Sequence, residues 1–329
     1  MQQTIDRVVP EGAPPGPAAT SVAVPDRPAV AQQMVTALIV GIPSLALVWG
    51  AVRLLHHGIG VRDLVIAAVL YAITGHGIAV GFHRLFAHHS FTASRPLKIA
   101  LAIAGSMAFE GGPVGWVADH RRHHAHTDRD GDPHSPYITG PRPTGGAAGL
   151  WHAHAGWLFT HPPTPTAKFA SDMRRDRDLA MIDRLFPLWC LASLAVPFGL
   201  GWVLGGTISA GFVTLMWAGL IRVAVLHHVT WSVNSVCHVF GRRPFDTQDG
   251  SRNVAALALL SFGESWHNAH HAYPSAARLG VGRHQLDSGA TLIRGFERLG
   301  WARDIRHADQ SVRETRTADV RLRSGNFQA

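Results

Sequence analysis

Cysteine and charge are both scarce in this chain. Among 329 residues there are two cysteines, Cys190 and Cys237, and no C-x-x-C pair. That argues against a cysteine-type zinc site or an iron–sulfur cluster. Both cysteines lie in or beside apolar segments and read as buried free thiols rather than as a disulfide. Charged residues make up 16% of the chain, against about 25% in an average soluble domain. Glutamate occurs five times, and only Glu264 to His267 has the E-x-x-H spacing. A carboxylate-ligated di-iron helical bundle needs two such motifs and two further Glu, so it is excluded. No G-x-G-x-x-G follows a strand, so the chain carries no flavin or nicotinamide fingerprint of its own.

Hydrophobic residues, by contrast, form 47% of the chain and gather in long runs. Four of these, at about 34–55, 63–82, 185–204 and 207–230, are long enough for a bilayer core of roughly 30 Å at about 1.5 Å per residue. Pro43 lies inside the first, which membrane helices tolerate. Gly205-Gly206 reads as a tight turn between the third and fourth. Leu97 to Phe109 is apolar but too short to cross and reads as re-entrant or interfacial. Residues 128–184 are polar and read as a soluble region against the membrane. Residues 1–33 have no basic start ahead of an apolar stretch, so they read as a disordered cytosolic tail rather than a signal peptide. Residues 306–329 read as a flexible C-terminal tail, leaving 34–305 as one membrane domain.

The formal net charge is +8, which could suggest nucleic acid. The basic residues flank the apolar runs, however, and this fits membrane topology, with no nucleic-acid partner. Twelve Arg and Lys lie between residues 83 and 184 and thirteen beyond 241, while the link between the third and fourth runs has none. The positive-inside rule then places both termini and the long middle segment in the cytosol.

Histidine is abundant, with 22 residues. Eight of them form three clusters: His83-Arg-Leu-Phe-Ala-His88, His120-Arg-Arg-His123-His124 and His267-Asn-Ala-His270-His271. Two clusters share the pattern H-x-x-H-H, about 150 residues apart. On a helix the three imidazoles of each such box lie on one side, so one helix can serve two adjacent metals. His83 and His88 point about 140° apart by α-helical geometry, so they could touch different metals, or the helix could end between them. Neutral imidazole suits Zn, Cu, Fe and Ni alike, and eight imidazoles are too many for one ion. Zinc would fit a hydrolase and iron would fit oxygen chemistry. Isolated histidines such as His126, His154 and His161 read as solvated or hydrogen-bonded side chains, and His227 and His228 as structural.

These passages, with Asp119 before the second box, Asp130-Gly131-Asp132-Pro133-His134 after it, Asn234-Ser235-Val236-Cys237-His238, and Gly263-Glu264-Ser265-Trp266 before the third box, resemble the membrane-bound fatty acid desaturases of the delta-9 acyl-CoA (stearoyl-CoA) type and their bacterial relatives. The resemblance runs from about residue 34 to 305. It implies an all-α integral membrane protein with four transmembrane helices and a cytosolic helical cap. It also implies a non-haem di-iron centre that uses O2 to insert a cis double bond into a saturated acyl chain. Carried over by motif, one iron would take His83, His120, His267 and His270, with Asn234 acting through a water. The other would take His88, His123, His124, His238 and His271. An all-imidazole shell is neutral, so the ions would keep more net charge than in a carboxylate-rich site. Asp119 and Glu264 are candidates to orient ligands. Trp116 and Thr230 match positions that line the bend of a substrate tunnel.

The resemblance further implies an inner-membrane enzyme with a cytosolic metal site and a separate electron donor, of ferredoxin–reductase or cytochrome b5 type. Animal acyl-CoA enzymes carry Arg-Asp before the second box, where this chain has Ala118-Asp119, so a glycerolipid-bound acyl chain becomes an alternative to acyl-CoA. Arg222, inside the fourth run, reads as paired with a structural partner. A hydroxylase or ketolase on the same scaffold is the nearest rival, and the Asn234–His238 segment favours the desaturase. A metal transporter would place its ligands near the bilayer midplane, where only His76 and His227 or His228 come close.

Overall fold

The computed structural model describes residues 28–139 and 142–308. Of the two expected tails, residues 1–27 and 309–329 lie outside the described residues. Four helices are long and apolar enough to cross a membrane: Val30–His56, Val61–Ala87, Phe186–Gly205 and Ile208–Val239. The first starts four residues before the expected boundary, and the second and fourth run several residues past theirs. These extensions bring in His83, with His88 capping the helix end, and the Asn234–His238 segment, which turns at Ser235. The turn between the third and fourth helices is made by Gly206, whose φ of 69° is the left-handed conformation that ends a helix. Thr207 then caps the next helix, its hydroxyl accepting from the Ala210 N–H at 3.1 Å.

The four helices play unequal parts. Only 17% of the apolar stretch of the first and third is buried, against 50% in the second and fourth. Leu45, Leu55, Leu191 and Val203 are among the exposed side chains of the outer pair, as lipid-facing helices require. The inner pair packs tightly. Arg222 is buried, and among the described residues it has no carboxylate partner. Its guanidinium donates to the Ser193 hydroxyl at 2.7 Å and carbonyl at 3.2 Å, and to the carbonyls of Met107 and Ala218. It thereby ties the third and fourth helices to the end of the short apolar segment, with hydrogen bonds in place of an opposite charge.

That short segment, Arg95–Ser106, is a helix of 12 residues, too short to span a bilayer core of about 30 Å, and it packs along the lower part of the second membrane helix. Close approach depends on Gly77, where a Cβ would stand 2.2 Å from the Gly105 nitrogen. The second His box follows on Pro113–His126, and Asp183 caps that helix by accepting from Val114 N–H at 3.0 Å. Asp183 belongs to the helix Arg177–Arg184, itself capped by Asp176. The third box occupies a six-residue helix, His267–Ala272, and the last helix is Ser288–Arg298. Among the described residues the strands are two-residue pairs: Thr92–Ala93 pairs antiparallel with Ala302–Arg303 and Ile138–Thr139 with Arg142–Pro143. The largest apolar cluster joins the lower second helix, Arg95–Ser106, Pro113–His126 and the Leu292, Ile293 and Phe296 face of the last helix. It forms a floor on which the His boxes are mounted.

Candidate metal centre

The lower end of the second membrane helix is wound as a π-helix over Gly77–Ala87. Its hydrogen bonds close five residues back, and the His88 N–H donates to the His83 carbonyl at 3.1 Å. This corrects the 140° separation expected from α-helical geometry. The wider turn brings His83 and His88 to the same side, with ring centroids 4.8 Å apart.

Nine histidines converge in two adjoining sets. One contains His83, His88, His120, His124 and His270; the other contains His123, His238, His267 and His271. Within each set the available nitrogens lie within 4.8 Å of one another. The division differs from the expected one: His88 and His124 join the first set, and His267 joins the second. Each H-x-x-H-H helix contributes to both sets, because its neighbouring positions straddle the boundary. His124 stacks on His271 across that boundary at 4.6 Å.

The Nε2 atoms of His83 and His270, His88 and His120, His124 and His270, His238 and His267, and His267 and His271 lie 2.8–3.1 Å apart. Neutral imidazoles set lone pair to lone pair repel unless a cation or proton is shared between them. His123 Nε2 is buried without a hydrogen-bond partner, a lone pair that a metal would satisfy. Burial first, then the neighbouring imidazoles, push His120, His124, His267 and His270 well below the ordinary imidazole pKa. They are therefore neutral at neutral pH, the form a metal ligand requires.

Four carboxylates orient these rings from behind. Glu264 Oε2 meets His83 Nδ1. Asp132 receives His123 Nδ1 at 3.0 Å, Asp128 receives His238 Nδ1 at 2.9 Å, and Asp249 receives His271 Nδ1 at 3.0 Å. A carboxylate at Nδ1 holds the proton there and turns the Nε2 lone pair inward. Burial raises the Asp128 and Asp132 carboxyls, but attraction to and hydrogen bonds from His238 and His123 outweigh it and keep both well below the usual range. Asp128 also accepts from the Gly250 N–H and the Ser135 hydroxyl. Sequence reading named Glu264 and missed the other three. Asp132 stood within a quoted motif without a role, and Asp249 lies 22 residues before its histidine. Asp119 is placed elsewhere: it faces Thr164 rather than an imidazole, and burial raises its pKa to about 6.

Glu264 is itself gripped by Arg84, which is 1% exposed. Arg84 Nε and Nη2 donate to Glu264 Oε1 at 3.1 and 3.0 Å, and Nη1 donates to Asp287 Oδ1 at 2.8 Å. Asp287 caps the last helix through the Ala290 N–H and also accepts from Leu279 and Gly280 N–H groups. Gly263 makes this turn possible: its φ is 97° and a Cβ would stand 2.6 Å from Asp287. Asn253 Oδ1 accepts from the Asn268 and Ala269 N–H groups and fixes the start of the third-box helix.

Two cavities meet beside the first His set. One is lined largely by apolar side chains of the inner membrane helices, Ile78, Leu226 and Val229 among them, and by Phe262. The other, wider one reaches the first membrane helix at Thr36, Ile39 and Val40. Trp116, His120, Thr230 and Asn234 line both. Trp116 stacks on His120 at 5.1 Å and donates to Glu110 Oε2 at 3.3 Å. Burial raises the Glu110 carboxyl to about 7, offset in part by the Thr230 hydroxyl and Trp116. Glu110, which directly follows the apolar run Leu97 to Phe109, thus stands at the junction with Trp116 and Thr230.

Comparison with known proteins agrees with this architecture. The family described as "Fatty acid desaturase" matches residues 63–303. The chain is 37% identical to the hex-5-enoyl-[acyl-carrier protein] acetylenase of Moorena producens (strain JHB), over 80% of this chain and 83% of that protein. It is 37% identical to delta-9 acyl-lipid desaturase 1 of Arabidopsis thaliana, over 78% and 79% of the two chains. It is 35% identical to the sn-1 stearoyl-lipid 9-desaturase of Anabaena variabilis, over 74% and 84%. A four-helix membrane framework, paired imidazole sets and a family match over most of the chain lead to one conclusion: this protein belongs to the fatty acid desaturase family.

Proposed function

We propose that this chain is an oxygen-dependent acyl-lipid desaturase that places a cis double bond, at the delta-9 position, in a saturated chain. The observation that carries this reading is the meeting of the two cavities at Trp116, His120, Thr230 and Asn234, directly beside the first imidazole set. A chain threaded through both cavities passes its middle, not its end, under the ligand nitrogens.

Two iron ions, held by the two imidazole sets, would supply dioxygen activation. Overall, two hydrogens leave adjacent methylenes, and with two electrons and two protons from a donor they reduce O2 to two waters. The chain's own residues perform the selection. Ile78, Leu226, Val229 and Phe262 hold the distal methylenes and exclude water. Trp116 and Thr230, joined through Glu110, set the bend that fixes which carbon pair is presented. Glu264, Asp132, Asp128 and Asp249 keep the imidazoles aimed inward.

A lipid carrier is favoured over CoA by the relatives' names, which include two acyl-lipid desaturases. Ala118 supports it: this residue is fully buried in the apolar cluster and offers a head group no contact. In this reading the enzyme sits in the inner membrane with its metal centre and termini cytosolic. A separate ferredoxin–reductase or cytochrome b5 supplies electrons. Expression in a desaturase-deficient host with a donor present, followed by mass spectrometry that locates the double bond, tests the proposal. A new delta-9 alkene on membrane lipid is expected; hydroxy acids would favour the rival chemistry, and no new product would refute it.

A further inference from the structure

Between Arg252 and Glu264 the chain carries no charge, and residues 254–262 are apolar except for Ser261. This stretch is a closed excursion. At its base the Val254 N–H donates to the Ser265 carbonyl at 2.9 Å, and Asn253 forms a bridge with Trp266. The chain therefore leaves and rejoins one level, and the third His box begins at His267, directly after the base. At the tip stand Leu259 and Leu260, the first of them 67% exposed. Ala255 and Ala256 are exposed as well, so every exposed side chain of the excursion is apolar.

The tip is tied to the second membrane helix. The Tyr71 hydroxyl donates to the Leu260 carbonyl at 2.8 Å, and this bond lies at the protein surface. Phe262 packs on Tyr71 and His76, with ring centroids 5.4 and 4.3 Å apart. The depth of this contact can be read from the helices. Arg222 of the fourth joins Thr74 of the second and Ser193 of the third. Ser193 stands seven positions after Phe186, where its helix starts on the metal-centre side. At about 1.5 Å per residue that is roughly 10 Å into the membrane. Tyr71 lies three residues beyond Thr74, further from the metal centre. Leu191 of the third helix and Val69 of the second are exposed near this level, so the surrounding medium there is lipid. Irregular backbone survives in lipid only when its polar groups are satisfied internally. Turns within the excursion take up the N–H groups of Leu257, Ala258, Ser261, Phe262 and Gly263, and the Phe262 carbonyl accepts from Arg84 and from the Gly289 N–H.

We infer that residues 254–262 are a re-entrant loop docked among the acyl chains of the bilayer, with Leu259 and Leu260 as its lipid contact. Ser261 and Phe262 line the apolar cavity on the other side, so the loop is a partition between that cavity and lipid. Glu264 and the third His box are mounted on its closing end. The inference rests on the crossing helices and is independent of the reaction proposed above.

The test places a nitroxide at position 259 through Leu259→Cys, in full-length protein whose half-buried Cys190 is replaced by Ala, in phosphatidylglycerol–phosphatidylethanolamine vesicles. Power-saturation EPR compares collisions with oxygen, which partitions into lipid, and with a water-soluble nickel chelate. Labels at Leu191→Cys on the third helix and at the exposed Arg174→Cys set the lipid and water limits. The label at 259 should fall near the Leu191 limit, with oxygen collisions severalfold above nickel collisions. A ratio nearer the Arg174 limit would overturn the inference in favour of a water-facing loop. Poor access to both reagents would overturn the lipid contact in favour of a protein partner or a second copy of the chain. Where lowered metal content shows that the label at 259 disturbs the loop, Ala256→Cys, also exposed and a smaller change, is read against the same limits. Alkene formation does not enter the readout, so failure of the desaturase reading leaves this result standing, and the reverse.

Discussion

Arg84 offers the sharpest test of how the metal centre is held together. Its side chain is buried and makes five hydrogen bonds, to Glu264, Asp287 and the carbonyls of Ala277 and Phe262. Replacing it by Met preserves most of the volume and removes the charge. Two carboxylates then face one another in a dry site, and two carbonyls lose their donors. Breaking a buried ion pair by removing one partner costs about 3–5 kcal/mol, because the remaining charge is uncompensated. At about 2–4 °C per kcal/mol for domains of 150–250 residues, the melting temperature in detergent should fall by roughly ten degrees. Glu264 is also freed to turn from His83, so metal content after dialysis should drop in the same variant. Adding Asp287→Asn to Arg84→Met removes one of the stranded charges and should recover part of the loss. If Arg84→Met melts within about 2 °C of wild type, buried charge pairing is not what holds this corner. If the double variant is no better than the single, the cost lies in packing instead.

Two further outcomes follow from the same geometry. Asp132→Asn removes the anion behind His123 Nδ1 while keeping the shape, and it should weaken metal binding about 10–100-fold, read by chelator competition; unchanged affinity would show that Asp132 does not tune that ring. Glu110 has a folded pKa raised by burial from 4.5 to about 7, so its stabilising contribution is present below pH 4.5 and lost as pH rises through 7. Glu110→Gln cannot ionise, so its melting temperature should gain on wild type between pH 5.5 and pH 8, and a constant difference across that interval would count against a buried neutral acid.

The membrane helices and the three His boxes were legible because each is a local pattern. Apolar length and the i, i+3, i+4 spacing of imidazoles need no knowledge of what they pack against. The partition of ligands between the two sets was not legible, for two physical reasons. The π-helix at Gly77–Ala87 has no sequence signature comparable to an apolar run, and it re-aims His88 by closing its bonds five residues back. Each H-x-x-H-H helix also straddles the boundary between sets, and only tertiary packing decides which ring falls on which side. Asp128 and Asp249 were hidden for a related reason. Acidic residues in turns are common, and what distinguishes these two is a partner 110 or 22 positions away. The short helix at Arg95–Ser106 was read as non-crossing on length alone, and it is held that way by backbone contact through Gly77 and Gly105.

The expectation that an all-imidazole shell would let ions keep more net charge than a carboxylate-rich one concerns the converging atoms alone. Counting only the atoms that converge, the shell is neutral. One imidazole further out stand Glu264, Asp132, Asp128 and Asp249, each on the Nδ1 of a different ring. The Arg84 cation is shared between Glu264 and Asp287, so these three groups together carry one net negative charge, and Asp132, Asp128 and Asp249 bring the formal sum to four. Four negative charges equal the formal charge of two divalent ions. The anions have been moved outward by one ring rather than removed. At that distance they would stabilise cations held by the two imidazole sets, in a buried site where screening by water is weak. They would do so from the Nδ1 side of each ring, leaving the Nε2 atoms free to serve as ligands. The same displacement explains why the chain needs so few glutamates: the acids act from turns, where aspartate is at home, while the helices carry only the rings.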